Sequence, residues 1–421
     1  MIESNQRKLR QSVNPCYVLP CRANGGPPGG NSQGWVGRTG EQSADPAAKA
    51  VQAQGVLQRL YGGQGDPGAT RITRQNETFW AWSAMDNLKS GKRNKRGDYA
   101  PDAPLQVAPL IVWPPQPLAL LRWLPYYILP WNGLFMVFAT VIWLWLTPSK
   151  ATLQTLDWHW ILFILIRNGV LVFLFYGALE LRLYIRRDQG NRFKFNALFP
   201  ADKKSDVFMF GSQNTDNMIR SFGTGVPIWT AYEVGMLYAW AHGWGPWTTF
   251  DAHPWALIGL FAFIPWFHEA HFYAIHRLIH TPLLYKWVHS VHHNSVNPSP
   301  WSSLSMHPVE HLLYWSDILI HLVLPSHPLL MLYHLQVTGT GAVVGHVGFD
   351  KIEAGGAAIG SHAYAHYLHH KHFEVNYSDG MVPFDRWFGS WHDGSPEGEA
   401  RMEARYQRKV ARANAKTVSG R

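Results

Sequence analysis

Long apolar runs alternate with polar and basic segments through most of this chain. The first run, residues 126–147, reads "YYILPWNGLFMVFATVIWLWLT" and matches the thickness of a bilayer's hydrocarbon layer. The second, residues 158–179, is interrupted by Arg167 and Asn168. A charge at that depth is costly, so it is expected to face other helices or to snorkel. A third run covers about residues 221–240 and contains Glu233, and a fourth, shorter one covers about residues 254–267. A final apolar stretch, residues 312–337, has Pro325 and Pro328 near its middle. It is expected to form a re-entrant hairpin or a pair of interfacial helices. The pattern predicts an all-α integral membrane protein, with four or more transmembrane helices and a histidine-rich cytoplasmic cap.

The polar segments suggest an orientation. Residues 89–96 and 180–206 are strongly basic, and the positive-inside rule places both in the cytoplasm. Counting spans then puts the N-terminus and every histidine cluster on the cytoplasmic face of a multi-pass protein. Residues 1–110 are rich in Gly, Pro, Gln and Asn and are expected to be a largely disordered extension, with one short helix ending at Gly62. Residues 111–253 would hold the first spans and the basic loop, 254–395 a histidine-rich domain, and 396–421 a charged tail. The N-terminal residues lack the apolar core of a secretory signal, so insertion is expected to rely on the later spans.

Composition agrees with a membrane setting. Charged residues are 15% of the chain and aromatic residues 14%, with 21 tryptophans; a soluble domain carries about 25% charged residues. The net charge of +9 sits mostly outside the apolar runs and has no nucleic-acid-binding motif beside it. Nucleic acid is therefore not an expected partner. Cys16 and Cys21 are too few for an iron–sulfur cluster or a four-cysteine zinc site.

Histidine changes the picture. Eighteen of the 22 histidines lie between His268 and His372. In "HRLIHTPLLYKWVHSVHH", His276 and His280 are four apart, so a helix would bring them to one side. His289, His292 and His293 have offsets of three and four, and His366, His369 and His370 repeat them. His346 lies in a Gly-flanked turn, "VVGHVGFD". Imidazoles packed without a cation would suffer desolvation and mutual repulsion, which a metal removes. Nine exceed the needs of one ion, and two ions with four to six nitrogens each would use them. Ligand type leaves Fe, Zn, Cu and Ni open, while the lack of cysteine beside the clusters argues against soft Cu(I). His362, four before His366, shares its helical face and is a possible tenth ligand. His271 lies half a turn away from His280. His159, His242, His253, His321, His327 and His334 are expected to be structural. Glu310, three residues after His307, is either a helix-start carboxylate or a group that orients a ligand imidazole. Asn376 and Tyr377 follow the last cluster, and Asp385 with Arg386 is expected to be architectural.

These elements resemble the fatty acid hydroxylase/sterol desaturase superfamily of membrane oxygenases. Its HxxxH box matches "HRLIH", and its two HxxHH boxes match "HSVHH" and "HYLHH". "HPVEH", "GHVGFD" and "NYSDGMVPFDRWFGS" resemble its remaining elements, with Ser378 and Ser390 replacing a glycine and a threonine. The resemblance covers roughly residues 254–394 and carries His346 over as a ligand. It implies a non-haem diiron centre held by the nine histidines, with Glu310, Asn376 and Tyr377 as candidate catalytic residues. It also implies O₂ as co-substrate. Electrons would come from NAD(P)H through a cytochrome b5- or ferredoxin-type partner. The expected reaction is hydroxylation or desaturation of a membrane lipid, either a sterol or a fatty acyl chain. The rival is a metal transporter or storage protein. It would line ionisable residues through the spans, where only Arg167 and Glu233 lie at depth.

Overall fold

Proline marks where many of the helices begin, because its fixed φ and missing N–H suit the first helical turn. The computed structural model describes residues 91–200 and 204–419. Helix α1 (Pro117–Ile128) opens on such a proline, and α2 (Trp131–Trp145) follows it. The break at Leu129 and Pro130 divides the first expected span, which the sequence pattern treats as one piece. Helix α3 (Trp158–Glu180), capped by Asp157, continues through a π turn at Leu181–Ile185. Helix α4 (Gln213–Arg220) runs through a second π turn, Ser221–Gly225, into α5 (Val226–Ala241).

Among the described residues, two segments are long and apolar enough to cross a membrane: Pro117–Trp145 and Trp158–Ile185. Much of their apolar surface faces outward, including Leu144, Trp145, Phe173 and Leu174. Water would disfavour so large an exposed apolar face, and lipid accommodates it. These two helices support association with a membrane.

Arg167 and Asn168 point into the protein. Arg167 pairs with Glu233 on α5 and donates to the Leu146 carbonyl at 2.9 Å. Asn168 Nδ2 donates to the other Glu233 oxygen at 3.0 Å. The charges are thus neutralised between α3 and α5, and the bundle-facing expectation describes them.

Helix α6 (Pro254–Ile279) holds 26 residues and carries the chain from the fourth apolar run directly into the first histidine pair. The expected span and the expected histidine helix are one continuous rod. Helix α7 (Pro282–Trp287) is followed by a 3-10 stretch, His289–Asn294. Residues 312–337 form a broken hairpin: α8 (Pro308–Tyr314), a 3-10 stretch at Trp315–Leu322, and α9 (Pro328–Gly339). Helix α10 (Ala342–His346) and helix α11 (Tyr364–His372) bring in the last histidines.

One apolar core joins α2, α3, α5, α6 and α9 through Phe135, Ile164, Trp229, Leu257 and Tyr333. A second cluster contains Tyr99, Tyr184, Phe195, Phe349 and Tyr367. Here the basic loop docks: Phe195 N donates to Gly348 O at 3.0 Å, and Tyr184 Oη donates to Val347 O at 2.9 Å. The loop therefore braces the backbone just past His346.

The described residues are mostly helical, with two small exceptions among them to the all-α expectation. Lys92–Arg93 pairs with Tyr99–Ala100, and Lys351–Ala354 pairs with Ala357–Gly360. The first hairpin lies in the expected disordered extension. Tyr99 anchors it, with its N–H on Phe195 O at 2.9 Å and its hydroxyl on Asp350 Oδ2 at 3.0 Å. The rest of that extension, with the helix expected to end at Gly62, lies outside the described residues. The charged tail begins a long helix, α12 (Pro396–Ser419), whose Glu399 accepts from Lys371 at 2.7 Å.

Candidate metal centre

Four short elements deliver nine imidazoles. The end of α6 supplies His276 and His280, the 3-10 stretch supplies His289, His292 and His293, α10 supplies His346, and α11 supplies the rest. They divide into two groups of converging nitrogens. One is His276, His280, His289, His293 and His369, and the other is His292, His346, His366 and His370.

In the first group, the Nε2 atoms of His280, His293 and His369 form a triangle with sides of 3.1–3.2 Å. His276 Nε2 and His289 Nε2 are buried without a hydrogen-bond partner. In the second group, His346 Nε2 lies 3.2 Å from His292 Nε2 and 3.0 Å from His366 Nε2, which is 3.1 Å from His370 Nε2.

The far sides of these rings explain which nitrogen is free. His276 Nδ1 donates to Tyr377 O at 2.8 Å, His369 Nδ1 to Val375 O at 2.6 Å, and His346 Nδ1 to Ala342 O at 2.9 Å. His289 Nδ1 donates to Glu310 Oε1 at 2.7 Å, and His292 Nδ1 to Ser305 O at 3.3 Å. A carbonyl can only accept, so it fixes the proton on Nδ1 and leaves a lone pair on Nε2. His292 and His346 aim two such lone pairs at each other across 3.2 Å, an arrangement that repels itself unless a cation lies between them. The donor set therefore fits metal ions.

Burial reinforces this. It pushes His346 and His369 down to about 4. Burial, with repulsion from neighbouring imidazoles, holds His276, His289, His292, His293, His366 and His370 well below their ordinary value. Neutral imidazole is the ligating form, and at pH 7 it is ready without deprotonation. Burial also raises the Glu310 carboxyl, a shift that a cation beyond His289 would oppose.

The family model for fatty acid hydroxylase matches residues 260–390, which contain all nine histidines. The chain is a distant homologue of the fatty acid hydroxylase and sterol desaturase family. It is 28% identical over 167 residues to the Delta(7)-sterol 5(6)-desaturase ERG3B of Gibberella zeae, covering 37% of this chain and 49% of that protein. It is 32% identical over 165 residues to the Delta(7)-sterol 5(6)-desaturase erg3C of Aspergillus fumigatus, covering 34% and 51%. Methylsterol monooxygenase 1 of Gallus gallus is 29% identical over 125 residues, covering 29% and 42%. The chain thus spans about half the length of the first two relatives. No solved structure matches it.

Around the nine histidines, the other candidate residues have distinct placements. Glu310 holds His289, as an orienting carboxylate would. Tyr377 acts through its carbonyl, while its ring packs 4.9 Å from His280 and 5.3 Å from His369. Asn376 donates to Ala365 O and His392 O and accepts from His392 N, so it ties backbone segments together. Asp385 accepts from the backbone of Tyr377 and Ser378, an architectural role.

His362 lies outside both groups. Helix α11 starts only at Tyr364, so the four-residue spacing from His362 is not helical. His271 donates toward, or accepts from, Ser316 Oγ at 2.9 Å, away from the centre. His327 caps α9 through Leu329 N, and His346 ends a short helix rather than a simple turn. Sequence spacing gave no sign of a third convergence, His268, Asp317 and His334. Its members are far apart in the chain and share no helical period.

Proposed function

We propose that this chain is a membrane-bound, non-haem diiron oxidoreductase that hydroxylates or desaturates a lipid. The supporting observation is the division of nine imidazoles, eight of them buried and His280 half-buried, into two groups whose ring nitrogens converge. The five-histidine group would hold one iron and the four-histidine group the other. Iron supplies the redox chemistry needed to cleave an unactivated C–H bond, which side chains alone do not provide. O₂ is the co-substrate, and electrons come from NAD(P)H through a cytochrome b5- or ferredoxin-type donor.

The protein's own groups do the positioning. The Tyr377, Val375, Ala342 and Ser305 carbonyls and the Glu310 carboxylate keep protons on Nδ1 of five of the rings and aim them. Burial excludes water and keeps the imidazoles neutral. An apolar substrate enters from the bilayer, and the carbon fixed nearest the centre decides hydroxylation or desaturation. The sterol-modifying relatives make sterols the first substrate class to test, with fatty acyl chains second.

The test uses full-length protein in detergent. About two iron per chain, with O₂- and reductant-dependent oxidation of a lipid, is expected. Lipid profiles of cells with and without the gene then separate sterol from acyl substrates. Reversible, redox-silent flux of divalent ions would instead identify a transporter.

A further inference from the structure

Asp317 is buried at 1% exposure and has no lysine or arginine ion-paired with it among the described residues. Two other buried carboxylates are compensated conventionally. Glu233 pairs with Arg167, and Glu269 accepts from the backbone N–H groups of Gly380, Met381 and Val382. Asp317 Oδ2 instead faces His268 Nδ1 at 2.7 Å, His334 Nε2 at 3.1 Å and the Thr338 hydroxyl at 2.8 Å. A buried carboxylate needs a cation beside it, which either a protonated imidazole or a bound metal ion supplies.

The directions of the atoms point to where that cation sits. His334 Nε2 is fully buried and lacks an aligned hydrogen bond despite its closeness to Asp317, and Asp317 Oδ1 is also unpartnered. The ring nitrogen therefore aims beside the carboxylate oxygen. The opposite side of the ring is fixed: His334 Nδ1 lies 3.1 Å from His321 Nε2, and His321 Nδ1 lies 2.5 Å from Ser326 Oγ. A ligand imidazole buttressed through its other nitrogen is a recurring feature of metal sites. The three donor atoms lie within 4.8 Å of one another.

We propose that His268, Asp317 and His334 bind a divalent first-row transition-metal ion, separate from the nine-histidine centre. Two imidazoles and a carboxylate suit Fe²⁺ or Zn²⁺. The Thr338 hydroxyl, 3.2 Å from His268 Nδ1, borders the same space. The ion clamps α6 to the two arms of the hairpin. His268 precedes His276 by eight residues on α6, about 12 Å along the helix axis, so the sites do not share ligands. The His372, His392 and Glu399 convergence differs, because Lys371 already supplies the positive charge beside Glu399.

The experiment uses full-length protein in detergent, stripped by a chelator, reloaded with Zn²⁺, desalted and analysed for metal. Wild type is expected to retain one ion per chain more than Asp317→Asn, whatever the total. His369→Ala should lose metal from the nine-histidine centre yet keep the Asp317-dependent ion. Equal metal in folded wild type and Asp317→Asn overturns the proposal and leaves a proton-sharing network. A second measurement needs no variant: anomalous scattering from Zn²⁺-loaded crystals should place a peak about 2.1 Å from His334 Nε2. Absence of that peak while the nine-histidine centre is occupied also overturns it.

Discussion

Glu310 Oε1 accepts a hydrogen bond from His289 Nδ1 at 2.7 Å, and both side chains are buried. The carboxylate sets the direction of an imidazole whose other nitrogen faces the centre. Glu310→Ala should weaken metal retention about 10- to 100-fold, the usual effect of losing such a buttress. Glu310→Gln keeps an acceptor oxygen and should recover much of that retention. Metal content after dialysis against graded chelator separates the two. Equal retention in wild type and Glu310→Ala would rule out an orienting role.

His369 and His327 provide a matched pair. His369 Nε2 sits in the triangle with His280 and His293, whereas His327 caps α9 and touches Trp143. His369→Ala should abolish turnover and lower bound iron, while His327→Ala should leave iron near wild type. If His369→Ala keeps full iron and activity, the centre is misassigned.

Acid should destabilise the metal-free protein over a defined range. His346 and His369 are held at about 4 by burial, against about 6.5 in an unfolded chain. Below pH 6.5 the unfolded chain binds more protons, so stability is complete above that value. It falls as the pH drops from about 6.5 to about 4, by on the order of 3 kcal/mol per histidine. Urea midpoints of stripped protein across this range give the slope. A flat profile would mean that these rings are not buried in the metal-free state.

Gly348 lies two residues beyond His346 with φ +72°, and an added Cβ would sit 2.3 Å from Tyr184 Oη and 2.8 Å from Pro298 O. Gly348→Ala must strain the backbone and displace the hydroxyl that bridges Pro298 and Val347. A loss of about 1–3 kcal/mol is expected, with weaker metal retention. Thermal unfolding checks the first effect and metal analysis the second. Tyr184→Phe should be milder.

Orientation is open to a direct test. A reporter fused after Asp206 should read as cytoplasmic, because the loop before it is basic. An extracytoplasmic signal would invert the arrangement and move the histidines to the other face.

The histidine set was legible because metal ligation needs particular side chains, and helical spacing keeps them within reach. The buttresses were less visible. Tyr377 and Val375 act through backbone carbonyls, which any residue offers. His362 was misplaced because spacing assumes a helix, and the chain at His362 has a positive φ before α11 begins. The hairpin around Tyr99 was missed because its anchors, Phe195 and Asp350, lie far along the sequence. The Asp317 convergence was hidden for the same reason: only folding brings α6 against α9.

His292 and His293 are neighbours in the chain, as are His369 and His370, yet each pair is divided between the two groups. Consecutive Cα atoms are about 3.8 Å apart, and that spacing does not stretch. The two groups are thus wheels on shared axles. Their separation is a property of the backbone, set before any ion arrives. An ion settling in one group also steadies two ligands of the other, so the two should fill together, and chains with only one of these groups occupied should be scarce.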